Sequence, residues 1–106
     1  MEKTVETKKD LLIDPSKLKR ASLVFRAVNH KLRQQILQLI HQKGRMVVTD
    51  IYVKLRLEQS VASQQLAILR KEGLVLTERD GKFIFYSVNY DRLKHLHKIS
   101  EDLIRK

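Results

Sequence analysis

Apolar residues recur along this chain at two different periods, and the change falls near residue 74. Before it, the spacing is that of amphipathic helices. Asp14-Pro15 is a helix start, since Asp caps free backbone N–H groups and Pro suits the first helical position. Leu18, Ala21, Phe25 and Val28 then predict a helix through residue 28. A second is predicted from His30 to Gln42, with Leu32, Ile36, Leu39 and Ile40 as its buried stripe and Gly44 at its C-terminal cap. Met46-Val47-Val48 can form a very short strand. Thr49 or Asp50 can cap a third helix whose apolar contacts are Ile51, Val53, Leu55 and Leu57. Glu58-Gln59-Ser60 reads as a turn, and a fourth helix runs to Glu72, stopped by Gly73.

Beyond Gly73 the period falls to two. Leu74–Arg79 and Lys82–Val88 are rich in β-branched and aromatic residues, and Asp80-Gly81 between them is a strong hairpin signal. Asp91 restarts a helix with a wide apolar face of Leu93, Leu96, Ile99, Leu103 and Ile104. That face covers more of a helix than one small core needs, which predicts self-association. Residues 1–10 are polar and lack periodicity, so they read as a disordered tail, with Leu11-Leu12-Ile13 able to fold back onto the body. The expected fold is mainly α with a small β-hairpin, in the order α-α-α-α-β-β-α. This is a winged helix-turn-helix occupying residues 11–106 as one domain.

Composition narrows the function. With 106 residues and 42% hydrophobic content, the chain can build one core without staples. There is no cysteine, which excludes disulfides, thiolate metal sites and thiol-based sensing. No apolar run reaches the roughly 18 residues of a membrane span, and the first residues lack the apolar stretch of a secretory signal. The expectation is a cytoplasmic protein. The net charge of +10 points to a polyanion. Residues 15–45 carry Lys17, Lys19, Arg20, Arg26, Lys31, Arg33, Lys43 and Arg45 with no Asp or Glu. No helix pairs a basic face with bulky Trp or Phe anchors, so a membrane surface is not the expected partner.

The fourth helix points to double-stranded DNA. On a helical wheel Ala62, Leu66 and Leu69 face the core, leaving Ser60, Ser63, Gln64, Ala67 and Lys71 outside. A helix meant only for solvation usually carries Glu and Lys there. Gln can pair two-pronged with adenine, Ser serves several bases, and Ala permits close approach. Arg79 and Lys82 flank the hairpin turn, where cations reach phosphate or the minor groove, although Glu78 and Asp80 dilute them. Lys54, Arg56, Lys71, Lys31 and Arg33 are further candidates for the DNA backbone.

Three segments resemble the ArsR family of winged-helix repressors from bacteria and archaea. They are Val28-Asn29-His30-Lys31-Leu32-Arg33-Gln34-Gln35-Ile36-Leu37, the stretch from Leu57-Glu58-Gln59-Ser60 through Ser63-Gln64-Gln65-Leu66 to Gly73-Leu74-Val75, and Gly81-Lys82 leading to Phe85-Tyr86. The resemblance implies a homodimer formed by the first and last helices, with Leu18, Phe25, Leu93, Leu96, Ile99 and Leu103 at the interface. It also implies an inverted-repeat operator read through Gln59, Ser60, Ser63, Gln64 and Gln65, in a nucleoid-associated repressor released by an inducing ligand.

The chain departs from the family's metal-sensing members. Where they place Cys-x-Cys, this sequence reads Val47-Val48-Thr49-Asp50-Ile51. In the last helix Asp91 and His95, and His97 and Glu101, are spaced i,i+4, and a symmetric dimer could gather them around zinc. Interface or surface histidines are the plainer reading, so no metal or cofactor is expected. The effector would be a non-metal ligand, a partner protein, or none. Two other classes compete with a DNA-binding regulator. A winged helix can serve as a protein-interaction module, against which the basic first third argues. An enzyme needs a nucleophile with its base, paired carboxylates or a metal, and none of these patterns occurs.

Overall fold

The computed structural model describes residues 11–105, so the expected tail at 1–10 lies outside the described residues. The first helix, α1, spans Pro15–Val28, and the Asp14 carboxylate accepts from the Lys17 backbone N–H at 3.2 Å. Every carbonyl of its last turn is satisfied. Asn29 N–H donates to Phe25 O, the Arg33 guanidinium donates to Arg26 O and Ala27 O, and His30 N–H and the Gln34 amide both donate to Val28 O. Of the expected stripe, Phe25 and Val28 are half-buried, whereas Leu18 and Ala21 are exposed and Ala27 is the residue that enters the core. Leu11, Leu12 and Ile13 are exposed rather than folded back.

Helix α2 covers Lys31–Lys43, with His30 as its cap: the imidazole Nδ1 accepts from Arg33 N–H at 3.3 Å. It ends on Gly44, whose φ of 91° an L side chain would rarely adopt. Strand β1, Met46–Val47, leads directly into α3, Val48–Leu55. Thr49 and Asp50, expected as caps, instead lie inside the first turn of α3. Its N-cap is Val47, which offers no side-chain bond. Asp50 still helps there, because its carboxylate sits near the positive end of the helix dipole.

The turn after α3 is made by Arg56, the one non-glycine described residue with positive φ, at 58°. Such a conformation costs roughly 1–2 kcal/mol for a residue with a Cβ. Here it is held by Arg56 N–H to Val53 O and Leu57 N–H to Tyr52 O. Helix α4 then runs Gln59–Lys71, starting inside the segment expected to be a turn.

Strands β2 (Val75–Asp80) and β3 (Phe83–Val88) form the hairpin, and β1 joins the far side of β3, giving the antiparallel order β1-β3-β2. Asp80 pairs with Phe83, so the two-residue turn is Gly81-Lys82 rather than Asp80-Gly81. Gly81 at φ 66° takes the position that needs positive φ.

The core lies where α2, α3, α4 and the root of the hairpin meet. Ile36, Ile40, Ile51, Leu66, Leu69 and Leu74 are fully buried, with Met46, Val75 and Val88 closing the sheet side. Val53, expected to pack inward, is exposed because it lies two residues beyond Ile51, on the opposite side of α3. The last helix, α5, spans Tyr90–Ile104. Asn89 caps it and accepts from Arg92 N–H at 3.2 Å, yet none of its fifteen residues is buried. Among the described residues no helix is long and apolar enough to cross a membrane.

Candidate nucleic-acid interface

Helix α4 divides into two faces as its spacing requires. Ala62, Leu66 and Leu69 are buried against the core. Ser60, Ser63, Gln64, Ala67 and Lys71 are exposed on the other side. Gln59 is exposed as the first residue of the helix, although it stands three before Ala62 and shares that side of the wheel. No side chain caps its start. The first-turn N–H groups are therefore available, and backbone N–H groups at a helix start suit phosphate. The exposed edge is neutral until Arg70 and Lys71, so its first two turns offer hydrogen-bonding groups without the desolvation cost of charge.

A groove of about 420 Å³ runs along this edge between α4 and the sheet, lined by Val48, Ser63, Ala67, Arg70, Lys71 and Tyr86. Arg70 and Tyr86 are additions that the sequence reading missed. Arg70 stands seven residues beyond Ser63, two helical turns along the same edge, so helical spacing could have found it. Tyr86 shares a pleat face with the buried Val88 and was legible only as a core residue.

The cations are distributed around the edge. Lys31, Lys54, Arg56, Arg79 and Lys82 are exposed, and no ion pair among the described residues engages them or Lys71. On the hairpin the pleat separates charge by sign. Glu78 and Asp80 pair with Phe85 and Phe83 and share their face, while Arg79, opposite Ile84, points the other way. The acidic face is also partly neutralised from outside. Arg45 lies 3.9 Å from Glu78 and 3.5 Å from Asp80, with its guanidinium carbon 3.8 Å from the centre of the Phe85 ring. At the turn, Arg79 donates to Gly81 O at 3.4 Å and the Lys82 ammonium stands 5.5 Å from the Phe83 ring.

Two residues expected at the DNA do not belong to this surface. Arg33, expected at a phosphate, is only 7% exposed. Its Nε donates to Ala27 O at 2.7 Å, Nη2 to Arg26 O at 3.2 Å and Nη1 to Gln65 Oε1 at 2.7 Å. Burying an ion costs several kcal/mol. Here the partial negative charge of the α1 C-terminus offsets it in place of a carboxylate. Gln65, expected at a base, is half-buried with its carbonyl turned inward to Arg33. Its backbone position puts it on the Ala62–Leu69 side of the helix rather than on the Ser63–Ala67 side.

The residues expected at a dimer interface do not all share one surface, because Leu93 packs against the core and lines a different groove, beside Leu37 and Tyr90. Leu18 is 59% exposed and Leu103 73%, while Phe25, Leu93, Leu96 and Ile99 are half-buried. Between α1, the end of α4 and α5 lies a groove of about 500 Å³ whose walls include Ala21, Phe25, Leu96 and Ile99. The α5 candidates for metal do not assemble in one chain. His97 Nε2 lies 3.4 Å from Glu101, and no such contact joins Asp91 to His95. No group of three or more His, Asp or Glu able to hold a metal occurs among the described residues.

Two helices joined at a left-handed Arg56, with a hairpin beside them, define a winged helix-turn-helix, the architecture that sets one helix into a DNA groove. The model for "Bacterial regulatory protein, arsR family" matches residues 30–77. An HTH-type transcriptional regulator of Methanocaldococcus jannaschii is 33% identical over 87 residues, spanning 82% of this chain and 98% of the relative. The transcriptional activator HlyU of Vibrio cholerae is 32% identical over 75 residues, covering 71% of this chain and 68% of its own length. The crystal structure of the transcriptional repressor PagR of Bacillus anthracis superposes with a TM-score of 0.65 at 26% identity, covering 79% of this chain and 95% of that one. The chain belongs to the arsR family: it is a DNA-binding transcriptional regulator, not an enzyme.

Proposed function

We propose that this regulator is a homodimeric repressor of the cytoplasm and nucleoid, built from one winged-helix domain over residues 11–106, that reads an inverted-repeat operator in double-stranded DNA. The observation that carries the reading is the exposed amide and hydroxyl edge of α4, edged by cations that no carboxylate neutralises among the described residues. In the proposed complex Gln59, Ser60, Ser63 and Gln64 face base edges in the major groove. Lys31, Lys54, Arg56, Lys71, Arg79 and Lys82 hold phosphates, joined by Arg70 and Tyr86 along the groove beside the helix.

The dimer half of the proposal rests on uncovered apolar surface. Leu18, Leu103 and Ile104 are each more than half exposed in the single chain. Burying them in both protomers contributes on the order of 10 kcal/mol. That is comparable with the roughly 4–15 kcal/mol lost when two bodies associate. Phe25, Leu96 and Ile99 add to it. Repression is proposed from the family's habit, and a relative named as an activator makes its sign a matter for experiment.

Replacing Gln64 by Ala tests the reading. Its side chain is exposed and bonded to nothing described, so folding is unaffected. Discrimination at one operator base pair per half-site should fall by about 1–3 kcal/mol, measured by fluorescence anisotropy on single-substitution operators. An unchanged preference at every position would remove Gln64 from the bases.

A further inference from the structure

Arg33 is the buried charged side chain among the described residues, and no carboxylate faces it. Two of its three hydrogen bonds close the C-terminus of α1, a local task in which it acts with Asn29, His30 and Gln34. The third is different in kind. It crosses to α4 and ends on Gln65, the neighbour of Gln64 on the exposed edge. A planar guanidinium can serve acceptors on two helices at once, which a lysine's point charge on a flexible stem does poorly. Gln65 is thereby held with its oxygen inward. Adjacent residues on a helix are about 100° apart, so the rotation of α4 that would release Gln65 to solvent also swings Gln64 off its bearing.

We infer that Arg33 is a positioning residue for operator reading: through Gln65 it fixes how α4 is rotated relative to the end of α1. This rests on the dimeric DNA reading proposed above. Because α1 is assigned there to the two-fold interface, the same bond helps set the distance between the two recognition helices of a dimer. Gln65 is accordingly a partner of Arg33 and not a base-reading residue.

The test is a double-mutant cycle on the intact chain with Arg33→Lys, Gln65→Met and both. Binding is measured to the operator selected from random DNA, and to versions with one base pair added or removed between half-sites. Gln65→Glu, which keeps an acceptor facing the guanidinium, is the conservative control. Each single change should weaken binding at native spacing about tenfold, and the double should lose no more than the worse single. Preference for native spacing should fall in Gln65→Met and survive in Gln65→Glu, a readout that lost stability alone does not move. Should Arg33→Lys fail to fold, the comparison of Gln65→Met with Gln65→Glu decides alone. Additive losses, a lower melting point with unchanged spacing preference, or a Gln65→Met effect confined to one base pair would each overturn the inference. A wild-type chain without preference for any duplex would instead sink the DNA reading itself.

Discussion

Replacing Ile99 by Glu should yield a folded monomer whose operator affinity is lower by at least about a hundredfold, because two linked half-sites gain roughly 10²–10⁴ over one. Ile99 is half-buried in the single chain, so a carboxylate there can reach water while the protein is monomeric. In the proposed dimer it lies on the α1–α5 surface, and two-fold symmetry brings in two such charges at once. Each would cost several kcal/mol without a partner. Neighbouring Leu96 and Phe25 offer none, while Arg20, Lys71 and Arg92 also line this groove and can meet the carboxylate in the open monomer. Sedimentation should show half the mass of wild type, with a near-native helical circular dichroism spectrum. A variant that stays dimeric, or a wild type already monomeric at micromolar concentration, would refute the interface.

Raising salt from about 50 to about 200 mM should weaken operator binding roughly a thousand- to hundred-thousand-fold, if the dimer engages about 6–10 phosphates. The candidates are exposed and free of described ion pairs, so little of their charge is neutralised inside the protein. The slope assigns the roles. Lys82→Ala should make the log–log dependence shallower by about 0.9 for each phosphate no longer engaged, across all sequences alike. Gln64→Ala should leave that slope unchanged. A shallow slope in the wild type would mean that the basic residues serve solvation instead.

Helical spacing made much of this legible. Ala62, Leu66 and Leu69 declare the inner face of α4, and the outer edge follows by subtraction. The same spacing also marked the two misassigned residues. Arg33 stands three before Ile36, four before Leu37 and seven before Ile40, on the buried stripe of α2. Gln65 stands three after Ala62 and four before Leu69, on the buried stripe of α4. Residue type suggested a surface role for both; position assigned them inward, where each satisfies the other. The turn of the hairpin was offset by one residue because Gly81 can serve as either turn position, and long-range pairing of Val75 with Val88 decides between them. Strand β1 was legible as a very short strand at Met46-Val47-Val48, but its pairing with β3 was not, because that is a tertiary event. The same applies to α3, whose start at Val48 follows from chain direction out of β1 rather than from a capping side chain.

The most direct check on α4 as the reading element is selection of bound duplexes from a random pool by wild type and by Gln64→Ala in parallel. Wild type should enrich two half-sites related by two-fold symmetry, about 10–10.5 base pairs apart or a multiple of that. The variant should enrich the same pattern with one position per half-site gone blank. A pool left random by the wild type, or identical patterns from both proteins, would contradict the assignment of α4 to the bases.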